Sequence, residues 1–166
     1  MNFDSIEDMR KEGFEGFVAV CELQALECCD VPRSPGVYLV LRTSTVTPEF
    51  RAPGTGGPFK NNNPNVKIRC LERKWVDGAL VMYIGKAGGK NKSTLRTRLR
   101  LYMTFGERKP VAHWGGRYIW QLRDSLDLLV CWKITGNSDP RSAEKKLIRE
   151  FEEQYGGKRP FANLKR

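Results

Sequence analysis

Residues 43–64 contain Pro48, Pro53, Pro58 and Pro64, three glycines and the run Asn61-Asn62-Asn63. Proline removes a backbone donor and glycine gives up the most conformational freedom on folding, so no helix or inner strand runs through such a stretch. The core must be built from short elements on either side, with this stretch inserted as a long irregular loop. Loops of that length in a compact domain tend to be functional or mobile. The 166 residues suit one domain rather than two.

The flanking pattern predicts an order of elements. Residues 4–29 read as helical, with Asp4 or Ser5 as N-cap and Glu7 and Asp8 in the first turn. Gly13 and Gly16 interrupt the region, and residues 18–26 form a second helix. Val31-Pro32-Arg33-Ser34-Pro35 is a turn-rich stop, and 37–41 is a short apolar run read as a buried strand. A second strand spans 79–84 and ends at Gly85. Ser93 then caps a helix to about Phe105, which Gly106 stops. Residues 119–122 form a short helix or strand, and 128–134 a third strand. Asp139-Pro140 opens the last helix, which Gly156-Gly157 closes after Tyr155. This predicts a single α+β domain over 1–166 with a small sheet covered by helices. It has an N-terminal helical extension (1–34) and an insertion (43–78) between the first two core strands.

Charge is unevenly placed. Residues 1–82 hold 10 basic and 11 acidic side chains, whereas 83–166 hold 19 and 8, so the net +10 resides in the C-terminal half. A polyanion should dock there. No apolar run is long enough for a membrane span, and the acidic start lacks the form of a secretory signal. Five cysteines without a CxxC pair, and one histidine, argue against a zinc site and for reduced thiols. The expectation is a soluble, cytoplasmic protein.

Two helices carry unusual side chains. In the last one, Ala143, Leu147, Ile148, Phe151 and Tyr155 form an apolar stripe, and Glu144 falls at about 100° within it. A carboxylate there must be paired, protonated or metal-bound, unless it stays wet and serves the helix dipole. In the helix after Ser93, Arg98 and Tyr102 lie together at the edge of the apolar face, where they could clamp a phosphate. Eight basic residues between 86 and 109 face only Glu107, a density that favours nucleic acid. Lys90, Lys92, Arg96, Arg100 and Arg117 are the candidate backbone contacts. Gly85-Lys86-Ala87-Gly88-Gly89-Lys90 lacks the spacing of a nucleotide-binding phosphate loop, so no nucleotide cofactor is expected. His113 is a candidate general base, weighed against a structural role beside Trp114.

Gly36-Val37-Tyr38 and Tyr83-Ile84-Gly85 resemble the two tripeptides that name the GIY-YIG nuclease family. Lys86-Ala87, Arg98-Leu99 with Tyr102, Glu144 and Asn163 resemble the corresponding positions in the nuclease domain of the bacterial excision-repair incision protein. The likeness spans roughly residues 35–164 without the insertion. It implies a mainly antiparallel three-stranded sheet and metal-dependent hydrolysis of DNA, most naturally double-stranded. Glu144 would hold one magnesium or manganese ion, and Arg98 would face the scissile phosphate. Tyr38 would take a proton from the attacking water, with Lys86 lowering its pKa. Tyr83 and Tyr102 would orient water or phosphate, and Asn163 would support the site. Compared with the simplest members, the tripeptides lie far apart, and the intervening segment is a candidate for DNA contact or for shaping a homodimer. A compact enzyme of this kind is similar to the family's restriction endonucleases. A non-cleaving binding module and an RNA nuclease are the alternatives.

Overall fold

The computed structural model describes all residues except 61, 90, 91, 112, 165 and 166. Its centre is an antiparallel sheet of four strands: β1 (Glu15–Ala19), β2 (Gly36–Leu41), β3 (Val81–Ala87) and β4 (Leu129–Ile134), in the spatial order β1-β4-β2-β3. The α+β class expected from sequence is present, but the expected three strands become four. The additional strand lies inside the segment read as a helical extension. There, α1 (Ile6–Lys11) ends at Gly13, β1 pairs with β4, and only then does α2 (Val20–Ala25) begin. Gly16 permits the pairing. Its φ is +90°, and any Cβ there would collide with the ring of Trp132.

Strand β2 is buried along its whole length between β3 and β4, as its unbroken apolar run requires. Its register sets the site, because Tyr38 lies opposite Gly85 on one side and Trp132 on the other. Directly opposed residues share a face, so Tyr38, Tyr83 and Gly85 point one way and Val37 and Lys86 the other. On the tyrosine face lies α4 (Leu95–Gly106), with Leu95 against Gly36 and Tyr102 against Tyr38. On the opposite face lies α5 (Pro140–Gln154), with Ala143 and Leu147 near Val37.

Helix α4 is capped by Thr94, not Ser93. The Thr94 and Thr97 side chains form a reciprocal capping box, and the Ser93 hydroxyl accepts from Gly88 N (3.0 Å). Asp139 caps α5 as expected, accepting from Ser142 N (2.9 Å), and Pro140 occupies the first helical position. The N-terminus is fastened to α5. Phe3 packs edge-on against Phe151 (5.4 Å), and Gln154 accepts from Phe3 N (3.0 Å).

The insertion is packed rather than loose and contains a short helix, α3 (Ile68–Glu72). Backbone bonds tie Arg51 and Thr55 to the 3-10 turn Arg117–Gln121. Buried Gln121 holds both ends of the insertion: its Oε1 accepts from Val66 N (2.8 Å), and its Nε2 donates to the Val66 and Arg51 carbonyls. A buried amide satisfied at both ends fixes the irregular stretch from Arg51 to Val66, which precedes α3. Among the described residues no helix is long and apolar enough to cross a membrane.

Candidate active site

Strand β3 is the outer strand of the sheet beyond β2, and its edge carries the candidate site. The C-terminal segment covers part of that edge. Ala162 N donates to Met82 O (2.9 Å), Asn163 Oδ1 accepts from Ile84 N (2.9 Å) and Asn163 Nδ2 donates to Ile84 O (2.8 Å). Asn163 thus fixes the backbone between Tyr83 and Gly85 by acting as an extra strand residue. Beside it opens a cleft of about 370 Å³, walled by residues 114–117, the first half of α5 and the C-terminal segment.

Three tyrosines form the wall behind this cleft. Their ring centres lie 6.0 Å (Tyr38–Tyr83), 5.7 Å (Tyr83–Tyr102) and 6.4 Å (Tyr38–Tyr102) apart. Gly85 makes room, since a Cβ there would strike the Tyr38 ring. A Cβ at Gly115 would come within 2.6 Å of the Tyr83 hydroxyl, and one at Gly116 within 2.6 Å of the Tyr102 hydroxyl. Tyr102 donates to Gly116 O (2.8 Å). Tyr83 lines the cleft, whereas Tyr38 is 0% exposed and its hydroxyl faces the Tyr83 hydroxyl and Arg98. Burial raises the pKa of all three above the ordinary tyrosine value.

Arg98 is the charge common to the group. It acts electrostatically on Tyr38, Tyr83, Tyr102, His113 and Glu144. The cation beside Tyr38 is therefore Arg98 and not Lys86, which the β3 alternation sends to the other face. Lys86 acts instead on Glu144 and Asp139. Burial still outweighs Arg98, so Tyr38 moves up rather than down.

Glu144 is half-buried in the cleft wall, and among the described lining residues it is the only carboxylate. Burial pushes its pKa up against the opposing pull of Lys86, Arg98, Arg141 and Arg159. Among the described residues no three His, Cys, Asp or Glu side chains gather into a metal cage. A single carboxylate open to water still suits magnesium, which keeps several waters and completes its shell with phosphate oxygens. The donor set fits one such ion.

The raised pKa has a measurable consequence. Between the ordinary carboxylate value and the raised one, the folded chain binds the proton more tightly than the unfolded chain, so stability falls as pH climbs through that window. Above it the ionised carboxylate is a standing cost. Glu144→Gln should therefore melt roughly 1–3 °C above wild type at pH 7 in chelator, with the gain gone by about pH 4. A lower melting point at pH 7 would show that Glu144 is a stabilising ion-pair partner instead.

The remaining sequence candidates separate. Arg117 lines the cleft with its guanidinium over the Trp114 ring (4.6 Å). Arg96 does not serve as a free contact, because its Nε donates to Val31 O (2.7 Å) and ties α4 to the preceding turn. Arg100 pairs with Glu27 at 2.8 Å on the α2 side. Both project about 160–200° around α4 from Arg98, which is why the basic stripe does not converge on the site. Lys92 is exposed outside the cleft lining, and Lys90 lies outside the described residues.

His113 is 0% exposed and stacks on Tyr102 (4.4 Å, 19°). Burial and Arg98 hold its pKa well below the ordinary value, so it is a neutral core group behind the tyrosines and not a base in the cleft. Sequence reasoning missed Trp114, Arg141, Lys145 and Arg159 as cleft residues. Arg141 and Lys145 were within reach of a helical projection from Glu144, while Trp114 and Arg159 arrive on loops. No family model, curated protein or solved structure matches the chain.

Proposed function

We propose that this protein is a divalent-metal-dependent endonuclease of the GIY-YIG type that hydrolyses phosphodiester bonds in DNA. The observation that carries the reading is the gathering of Tyr38, Tyr83, Arg98 and Glu144 at one β3 edge, drawn from four elements, beside a cleft rimmed by cations. Arginine guanidinium matches the planar fork of phosphate oxygens, and charge that develops there is worth most in a partly dry site. Glu144 would hold the magnesium or manganese ion, which supplies Lewis-acid stabilisation of the phosphate. Arg98 holds the phosphate from the tyrosine side, and Arg117 and Arg141 hold it from the rim. Tyr83 orients the incoming water by its hydroxyl, and Tyr38, in its phenolate form beside Arg98, takes the water's proton and becomes the neutral phenol.

The test is incubation of the wild-type protein with supercoiled plasmid, single-stranded DNA and RNA, with magnesium and with chelator. Plasmid nicked or linearised only in magnesium is the expected result. Cutting confined to RNA would reassign the substrate. Binding without cutting of any of the three would make the chain a nucleic-acid-binding module on this scaffold. Discrete fragments would point to a restriction or defence role.

A further inference from the structure

We infer that a nucleic-acid strand leaves the cleft along α5, held by Arg141, Lys145 and Arg149, and not along the basic outer face of α4. The inference rests on the nuclease reading and extends it to the path of the substrate. A second groove, of about 500 Å³, adjoins the cleft and shares Lys145, Ile148 and Arg159 with it; its one carboxylate among the described lining residues, Glu152, is paired with Arg159. Arg141, Lys145 and Arg149 succeed one another at i, i+4 and i+8, within about 80° of the helix surface, and so form one row.

The state of these cations separates them from Arg96 and Arg100 on α4. Among the described residues, the side chains of Arg141, Lys145 and Arg149 enter no ion pair and donate no hydrogen bond, and all three are exposed. The two outer cations of α4 are engaged, Arg96 with the Val31 carbonyl and Arg100 with Glu27, as are Lys109 with Glu107 and Arg123 with Glu49. An engaged cation must give up its partner before it meets a phosphate, whereas an unengaged one releases only counterions from the nucleic acid. The row spans about 12 Å of helix, or three to four steps of a B-form backbone at 3.4 Å each. That length suits contacts with two or three phosphates to one side of the bond held at Glu144.

The experiment is fluorescence anisotropy with a labelled 20-base-pair duplex and the same single strand in chelator, over a series of salt concentrations. Lys145→Ala/Arg149→Ala should weaken binding about tenfold near 0.1 M salt and make the salt slope shallower by roughly two. Arg100→Ala/Arg123→Ala removes the same charge from engaged cations and should stay within about twofold. Equal losses in the two double variants, or a larger loss in the second, would overturn the path along α5. If wild type cuts while Lys145→Ala/Arg149→Ala binds like wild type, the path falls and the nuclease stands. If α5 governs binding but nothing is cut, the path stands and the nuclease falls. Failure of wild type to bind either probe at low salt would remove both.

Discussion

Alanine at Glu144 or at Arg98 should lower magnesium-dependent plasmid cleavage by on the order of 10³-fold each, while duplex affinity in chelator stays within about threefold. Glu144 is the only carboxylate among the described residues of the cleft, so its removal takes away the one protein ligand suited to a hard ion. Arg98 is the positive charge shared by all three tyrosines and Glu144. On the proposed mechanism the two serve the same phosphate, so the double variant should lose little more than either single one. Arg98→Lys keeps the charge but not the planar fork and should recover only part of the rate, about tenfold over alanine. Initial rates with saturating enzyme decide the matter. Cleavage undiminished in Glu144→Ala would end the assignment of Glu144 as the metal ligand. Equal loss of binding and rate in Arg98→Ala would make Arg98 a docking residue.

What the sequence disclosed and what it hid divide along the range of the interactions. Strands β2, β3 and β4 and helices α4 and α5 were legible because their signals are local: apolar runs, Asp139 before Pro140, and Gly156-Gly157 past the end of α5. Gly106, read as the stop of α4, is instead its last residue and packs on Trp120. Strand β1 was not. Gly13 and Gly16 read as helix breakers, and the reason for Gly16 is the Trp132 ring, contributed from the far end of the chain. Helical projection marked Glu144, because a carboxylate among Ala143, Leu147 and Phe151 is a local contradiction. The identity of the cation beside Tyr38 depended on register. Once Tyr38 is opposed to Gly85, strand alternation excludes Lys86 and leaves the place to α4. The basic stripe on α4 misled for a related reason. Charge density counts side chains but not partners, and Val31 O and Glu27 had already engaged Arg96 and Arg100.

Cleavage by the wild-type protein should rise with pH, close to tenfold per unit, from about pH 6 to at least pH 9. Proton transfer to Tyr38 requires the phenolate, and the groups around that hydroxyl decide how rare it is. Burial raises its pKa most, Arg98 and the Tyr83 hydroxyl lower it, Glu144 raises it, and the balance is upward. The phenolate at pH 7 is thus scarcer than the roughly 10⁻³ of a free tyrosine, and each unit of pH multiplies it by ten. His113 adds no break near pH 6.5, because burial and Arg98 hold it neutral there. Tyr38→Phe should lose about 10²–10³-fold in rate at pH 8 and flatten the profile. The same change keeps the ring and removes only the hydroxyl that faces Tyr83 and Arg98, so the variant should melt within about 3 °C of wild type. An inactive variant that folds as stably as wild type cannot owe its inactivity to misfolding. A profile with the same slope in Tyr38→Phe would assign the titration to another group and leave Tyr38 as packing over Gly85.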